Sequence, residues 1–311
     1  MGRKIHIVSF SELDSYRQCP HKHELGYVQR WRSPRTGPAL TKGILYHEVM
    51  ETHYRWIRAM QIETGNTKDW RPESLDVECL EDLAEILPPL AAEIWPLLRP
   101  AVGEPDEVQD LIEWMYMGYL QMWGLDPKWE ILATEHNAQV ALPMPSGRAS
   151  STHFIKIKVD LIVKIPMPRG NRIFVVDHKS GQNLPTSKEL EFDDQFGLYV
   201  WGLRQLGKKV FGALYNANRT QRNKSKPQEL DTRLSRTLMY RTDEELDCVA
   251  AEAYADAVAA HKPGAVKPRH TNTDTCRWRC DYTEPCLASR KGVDEVEFLR
   301  SAGFVQDFTR H

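Results

Sequence analysis

The chain has 311 residues, with 41 lysines and arginines against 43 aspartates and glutamates and a formal net charge of -2. That length can bury a substantial core in one large domain or two small ones, and 41% hydrophobic with 27% charged residues is the composition of a globular chain, not a disordered or fibrous one. No apolar run reaches the roughly 20 residues a membrane helix needs, and the opening MGRKIHIVSF has too short an apolar patch for a secretory signal, so a cytoplasmic protein with no membrane partner is expected.

SFSELDSYRQCPHKHELGYV (9–28) predicts a helix, with Ser9 or Ser11 as cap and Glu12 three residues after Ser9. RWRSPRTGP is a loop, and TKGILYHEVMETHYRWIRAM (41–60) a second amphipathic helix. Arg17, Lys22, Arg30, Arg32, Arg35 and Lys42 make this part basic. From about 73 to 123 the chain is rich in Leu, Ala and Glu, with Pro88, Pro89, Pro96, Pro100 and Pro105 as breakers, which predicts an acidic insert of several short helices.

The period then changes from helix to strand. WEILATEHNAQVAL (129–142) and HFIKIKVDLIVKI (153–165) alternate, the second with Ile155, Ile157, Val159, Leu161, Val163 and Ile165 on one face and Lys156, Lys158, Asp160 and Lys164 on the other. Residues 172–177 form a third strand, apolar on both faces as in a sheet centre. Thr186 and Glu189 make a capping box for a helix running through Leu206, and Gly207 stops it. KKVFGALYNA (208–217) is a fourth strand, parallel to the third by a right-handed crossover. Arg219, Arg222, Lys224, Lys226, Arg233, Arg236 and Arg241 make the next stretch basic, a possible phosphate-facing surface or simply solvated loops. Residues 229–240 suit another strand and 242–261 a helix, and TCRWRCDYTEPC lies near the end.

FVVDHKSG (174–181) ends an apolar strand with Asp177 and Lys179 on one face and His178 on the other. Alone, this reads as a surface ion pair at a strand end. A metal-dependent phosphodiesterase, however, needs carboxylate oxygens for Mg²⁺, tolerates an imidazole with Mn²⁺, and uses a lysine beside the activated water or the developing anion. If the strands bearing Asp160 and Asp177 pair as a hairpin, both carboxylates and Lys179 meet at one sheet edge, and His178 can offer its carbonyl.

An Asp on one strand followed by Asp-x-Lys on the next resembles the PD-(D/E)XK nuclease superfamily. GILYHEVMETHY sets His47 on a helix after Gly43, as in the RecB-like branch, and QFGLYVWG carries Gln195 and Tyr199 at the spacing of that branch's Q-x-x-x-Y motif. YRQCP near the start and CRWRCDYTEPC near the end are similar to the split four-cysteine motif of AddB-like and CRISPR-associated RecB-like iron–sulfur exonucleases. These motifs run in the family's order from residue 9 to residue 286. The resemblance implies an α/β restriction-endonuclease-like core, with a central mixed sheet flanked by helices, a helical insert and a terminal iron–sulfur region. As one nuclease domain over 1–311, the chain would divide into N-terminal helices (1–70), acidic insert (71–128), core (129–262) and cysteine region (263–311).

The same resemblance implies roles. His47, Asp160, Asp177 and the His178 carbonyl match metal ligands for Mg²⁺ or Mn²⁺, Lys179 the catalytic lysine, and Gln195 and Tyr199 positions that organise the site or the DNA. Glu135, one strand earlier, is a candidate assistant. Of the six cysteines, Cys19, Cys276, Cys280 and Cys286 match a [4Fe–4S] cluster. By donor chemistry alone zinc remains the alternative. Three residues separate Cys276 from Cys280 where the family commonly has two. Cys79 and Cys248 lie in helical patterns and are expected to be small buried hydrophobes. Arg277, Trp278, Arg279 and Tyr282 either shield the cluster or contact nucleic acid.

The implied activity is a DNA exonuclease preferring single strands or ends, in recombination and repair, CRISPR adaptation or phage DNA processing. No G-x-x-x-x-G-K-[ST] loop is evident, so a helicase motor would be a partner chain. The rival is a DNA-binding or scaffold subunit that keeps the fold without cutting.

Overall fold

The computed structural model describes residues 4–34, 38–65, 70–99, 104–223, 225–226 and 228–309; Arg35, Pro100 and Lys224 lie outside them. Strand β1 (His6–Ser9) leads directly into α1 (Phe10–Gln18). Ser9 caps α1 as expected, its Oγ accepting from Glu12 N at 3.2 Å. The helix expected to reach residue 28 is interrupted at Cys19, whose backbone is extended (φ -163°, ψ 110°). The cause is Pro20, which disfavours a helical conformation in the residue before it. α2 (Pro20–His23) starts afresh with proline at its first position and passes into a wider helical turn over Glu24–Val28.

A short strand, β2 (Trp31–Arg32), occupies the expected loop. α3 (Pro38–Glu63) contains the second expected helix, and α4 (Leu80–Ile86), α5 (Pro88–Leu98) and α6 (Glu107–Trp123) are the short helices of the acidic segment. Then come β3 (Glu130–Pro143), β4 (Ala149–Met167) and β5 (Gly170–Gly181). The single helix expected over 186–206 is two. α7 (Ser187–Glu191) has the Thr186 and Glu189 capping box, and α8 (Asp194–Gln205) starts on its own cap, Asp193 Oδ1 accepting from Gln195 N at 2.9 Å. β6 (Val210–Arg219), β7 (Leu234–Met239), α9 (Asp243–Ala260), α10 (Thr273–Trp278), α11 (Thr283–Arg290), α12 (Glu295–Ser301) and β8 (Val305–Gln306) complete the order. No helix among the described residues is long and apolar enough to cross a membrane.

The chain forms two compact units. The larger comprises Pro38–Ala138 and Ile157–Leu246. Its sheet is mixed: β5 is antiparallel to β4 (Leu161 opposite Val176), parallel to β6 (His178 opposite Asn216), and β7 is antiparallel to β6, while β3 pairs with β4. Leu161, Val163, Phe174, Val176 and Leu214 from the sheet pack with Tyr46, Met50 and Tyr54 of α3. The acidic segment belongs to this core, because Leu80, Leu83, Leu90, Ile94, Ile112 and Tyr116 are buried in the same cluster. Its acids partly face inward too: Glu113 accepts from Leu80 N at 2.9 Å and from Arg99 Nη2 at 2.8 Å.

Part of the basic stretch is therefore internal. Arg236 donates to Asp126 Oδ2 at 2.8 Å and lies between Trp123 and Trp129, 4.0 and 4.3 Å from their ring centres. Arg233 stacks on Trp114 at 3.8 Å and is buried. Neither guanidinium is available to a phosphate, whereas Arg222 and Lys226 are exposed. A guanidinium is weakly hydrated and planar, so it stacks on indole at a lower cost than an ammonium would.

The smaller unit comprises Met1–Gly37, Gln139–Lys156 and Asp247–His311. Here β1 runs parallel to the start of β4 (His6 opposite His153), and β2 pairs antiparallel with β8. Leu25, Trp31, Tyr282 and Leu299 form an apolar cluster, and Tyr282 Oη donates to Trp31 O at 2.6 Å. Tyr282 is thus a core residue rather than a nucleic-acid contact, whereas Trp278 is exposed. Cys79 and Cys248 are not the buried hydrophobes expected. Cys79 is half-buried at the N-cap of α4, and Cys248 is exposed, off the α9 stripe of Leu246, Ala250, Ala253, Ala257 and Ala260 that is buried.

Removing Asp126 strands the Arg236 charge among aromatic rings. Asp126→Ala should destabilise the protein by about 3–5 kcal/mol in urea unfolding. A midpoint equal to that of the wild type would show that the pair carries no such weight.

Candidate active site

The opposed register of β4 and β5, with Leu161 across from Val176, sets Asp160 and Asp177 at adjoining positions of neighbouring strands. The period of two sends Asp177 and Lys179 to one side of β5 and His178 to the other. Lys179 Nζ lies 2.6 Å from Asp177 Oδ2 and donates to Gln195 Oε1 at 3.1 Å; Gln195 Nε2 in turn donates to Tyr199 Oη at 2.6 Å. Gln195 and Tyr199 are one turn apart on α8, which makes this relay possible. From α3, His47 Nδ1 approaches Asp160 Oδ2 at 3.3 Å, and the same oxygen accepts from His178 N at 2.8 Å. The two carboxylates are largely covered, while His47 and Lys179 are about one-third exposed (37% and 32%), so the cluster opens to solvent on their side.

Environment separates the two acids. Burial raises Asp177, helped by the negative charge of Asp160 and opposed by Lys179, to about 6. Burial acts on Asp160 in the same direction, but the His47 hydrogen bond and charge, with the His178 N–H, outweigh it and pull Asp160 to about 2. Burial lowers Lys179, yet the touching Asp177 carboxylate more than compensates, holding the ammonium above its ordinary range. Likewise, Asp160 outweighs burial and raises His47.

His178 points away from this cluster. Its ring is fully buried, burial drops its pKa to about 3, and Nδ1 accepts from Asn216 Nδ2 at 2.9 Å. Asn216 also donates to Tyr119 Oη at 3.1 Å, and Tyr119 meets Arg236 and Tyr54. Sequence reasoning missed this backing network: Tyr54, Tyr119, Asp126 and Arg236 come from four separate segments, and only the polar residue at Asn216 within an apolar strand hinted at it. Glu135 is engaged by Lys158 Nζ at 2.6 Å, in a left-handed backbone conformation (φ 47°) that is rare for a non-glycine residue.

In the smaller unit, Cys19, Cys276, Cys280 and Cys286 line one cavity of about 150 Å³. All four thiols are free and half-buried, and burial raises Cys280. The wider spacing is accommodated locally: Cys276 sits near the end of α10 and Cys280 one residue past its C-cap, so the intervening residues span about one helical turn. The four cysteines share one cavity, and thiolates are ligands of iron–sulfur clusters and of zinc.

The mixed sheet thus carries two carboxylates and a lysine together on neighbouring strands. Residues 7–287 match the family model of the PD-(D/E)XK nuclease superfamily, and the chain belongs to that superfamily. Its proteins are generally nucleases, usually use divalent metals and act on DNA. No curated protein matches the chain. Among solved structures, SSO0001 is similar at 12% identity over 74% of this chain and 94% of that one, with a TM-score of 0.31, too loose a likeness to bear on the site.

The Asp177–Lys179 contact can be tested without substrate. Lys179→Met removes the charge that opposes the rise of Asp177, so in metal-free protein the Asp177 carboxyl should titrate above about 6. Carbon-13 NMR of labelled aspartate reads this directly, and a midpoint at or below 6 would dissociate the two groups.

Proposed function

We propose that the chain is a metal-dependent DNA exonuclease that prefers single strands or frayed ends, in the manner of the RecB-like branch. The meeting of Asp160, Asp177, Lys179 and His47 is the observation that carries this reading. In it, His47, Asp160, Asp177 and the His178 carbonyl hold Mg²⁺ or Mn²⁺. Two shielded carboxylates with an imidazole, open on one side, suit such an ion, and the imidazole favours Mn²⁺. When bound, the metal supplies an activated water and neutralises phosphate charge. Lys179, kept protonated by Asp177, donates to phosphate oxygens where negative charge develops. Gln195 and Tyr199 fix its position, and Glu135 acts through Lys158 on the adjoining strand. Of the basic stretch, the exposed Arg222 and Lys226, with the neighbouring Arg219, track the DNA backbone.

Under this reading Cys19, Cys276, Cys280 and Cys286 carry a structural [4Fe–4S] cluster, with zinc as the alternative. Free thiols and such a cluster suit the reducing cytoplasm. Recombination and repair, CRISPR adaptation and phage DNA processing all call for this activity, with any motor supplied by another chain.

End-labelled single-stranded and duplex DNA with Mn²⁺ or Mg²⁺ provides the direct test. Wild type should release short products, and Lys179→Ala and Asp177→Ala should each lose at least about 100-fold in rate, the scale of losing a charge-stabilising donor. Binding of DNA should persist in Lys179→Ala. Cleavage by either variant at the wild-type rate rejects the site, and an inert wild type that still binds DNA favours a non-catalytic subunit.

Isolated without oxygen, the protein should be brown, with about four iron and four sulfide per chain. Cys19→Ser should lose both, and Cys79→Ser and Cys248→Ser neither. Stoichiometric zinc without sulfide would replace the cluster by a zinc staple.

A further inference from the structure

We propose that Glu12, His23 and His261 form a binding site for a divalent transition-metal ion of the zinc class, separate in its residues from the nuclease and cysteine sets. The three come from different elements of the smaller unit: Glu12 from the first turn of α1, His23 from the end of α2, and His261 from just past the end of α9. Their candidate ligand atoms all lie within 4.8 Å of one another. His23 Nε2 is 3.0 Å and His261 Nε2 3.3 Å from the same oxygen, Glu12 Oε1. An ion with bonds of about 2.0–2.1 Å in a tetrahedron holds its ligand atoms about 3.3 Å apart. The side chains therefore already stand at roughly ligand-to-ligand spacing.

The hydrogen-bond pattern points the same way. A carbonyl oxygen can only accept, so His261 Nδ1, 3.1 Å from Ala257 O, carries the hydrogen. When this imidazole is neutral, its Nε2 lone pair faces a carboxylate oxygen, and two acceptors cannot satisfy each other. Something electron-poor belongs between them, a metal ion or a proton. A ligating histidine whose other nitrogen donates to a backbone carbonyl is also the common outer-shell arrangement of metal sites. The surroundings restrict water and fix the rings. His23 is fully buried, with Tyr27 stacked at 5.6 Å and Tyr16 edge-on at 5.5 Å. Two imidazoles and one carboxylate favour zinc, cobalt or nickel over magnesium, which prefers oxygen ligands throughout.

Such an ion would tie α1, α2 and the end of α9 together, and its binding energy would be stabilisation of this unit. It would leave the chemistry of phosphodiester cleavage to the other residues.

The test compares chelator-stripped wild type with Glu12→Gln, His261→Gln and Cys19→Ser after equilibration with zinc and removal of the excess. Glu12→Gln keeps a hydrogen-bonding side chain of the same size, and His261 lies at a helix end and is 18% exposed, so both should fold. Plasma mass spectrometry should find one zinc equivalent fewer in Glu12→Gln and in His261→Gln than in wild type. Cys19→Ser should retain that equivalent, and its zinc-edge absorption should show nitrogen and oxygen neighbours. Zinc should also raise the melting temperature of Cys19→Ser. Equal zinc content in wild type, Glu12→Gln and His261→Gln overturns the proposal and leaves a protonated His–Glu–His cluster. So does sulfur as the principal neighbour of the zinc retained by Cys19→Ser, a result that needs neither ligand variant to fold.

Discussion

Two carboxylates placed side by side on neighbouring strands repel, and burial makes the repulsion worse. The arrangement around Asp160 and Asp177 answers that one constraint. His47 and the His178 N–H sit on Asp160, while Lys179 sits on Asp177. The result is a division of labour, with one acid pulled to about 2 and the other left near 6. The His47 and His178 contacts bias Asp160 toward its charged form. Asp177 hovers near the point where a proton, the Lys179 ammonium or a metal ion can each claim it. Under the proposed function, a cation bound here would relieve a repulsion already present.

Holding those groups still falls to the other side of β5. His178 turns inward, Tyr54 stacks on it at 5.4 Å, and Asn216 connects it to Tyr119 and thence to Arg236 and Asp126. The Arg236–Asp126 pair is flanked by Trp123 and Trp129. A buried pair of this sort adds little net stability over a well-packed apolar replacement, since desolvation offsets most of the attraction. What it can do is penalise alternatives. A shift of β7 or of the turn before β3 would leave a charge or a tyrosine hydroxyl unpaired in a dry interior. Segregation of charge along the chain thus has an internal purpose: an acid from the acidic stretch neutralises an arginine from the basic stretch.

Period and residue chemistry made much of this readable from the chain. Alternation located β3 and β4, an apolar run located β5, and a spacing of two put Asp177 beside Lys179. Helical spacing of four paired Gln195 with Tyr199. The failures are equally physical. Apolar periodicity continued through Phe192 and Phe196, which hid the second helix start at Asp193, although an aspartate at that place is a cap in its own right. The same periodicity runs through Cys19, where Pro20 disfavours a helical backbone. Burial of Arg233 and Arg236 could not be seen, because their partners Trp114 and Asp126 lie more than a hundred residues away in sequence, and nothing local distinguishes a stacked guanidinium from a solvated one.

The smaller unit has a different problem, that of fastening three segments far apart in sequence. Around the terminal segment the buried cluster is Leu25, Trp31, Tyr282 and Leu299. A cluster of that size stabilises weakly against the entropy of closing a loop of most of the chain, although that entropy grows only logarithmically with length. Two polar clusters join the same segments, the cysteines linking residue 19 to 276–286 and the Glu12 group linking residues 12 and 23 to 261. Metal–ligand bonds are strong per residue and need little buried area, so they suit a fastening role where a core cannot grow. Metal ions held by these histidines and cysteines would add to the buried Val8, Leu13 and Ile155 in holding the unit together, and would do so at the chain termini, where segments distant in sequence must stay joined.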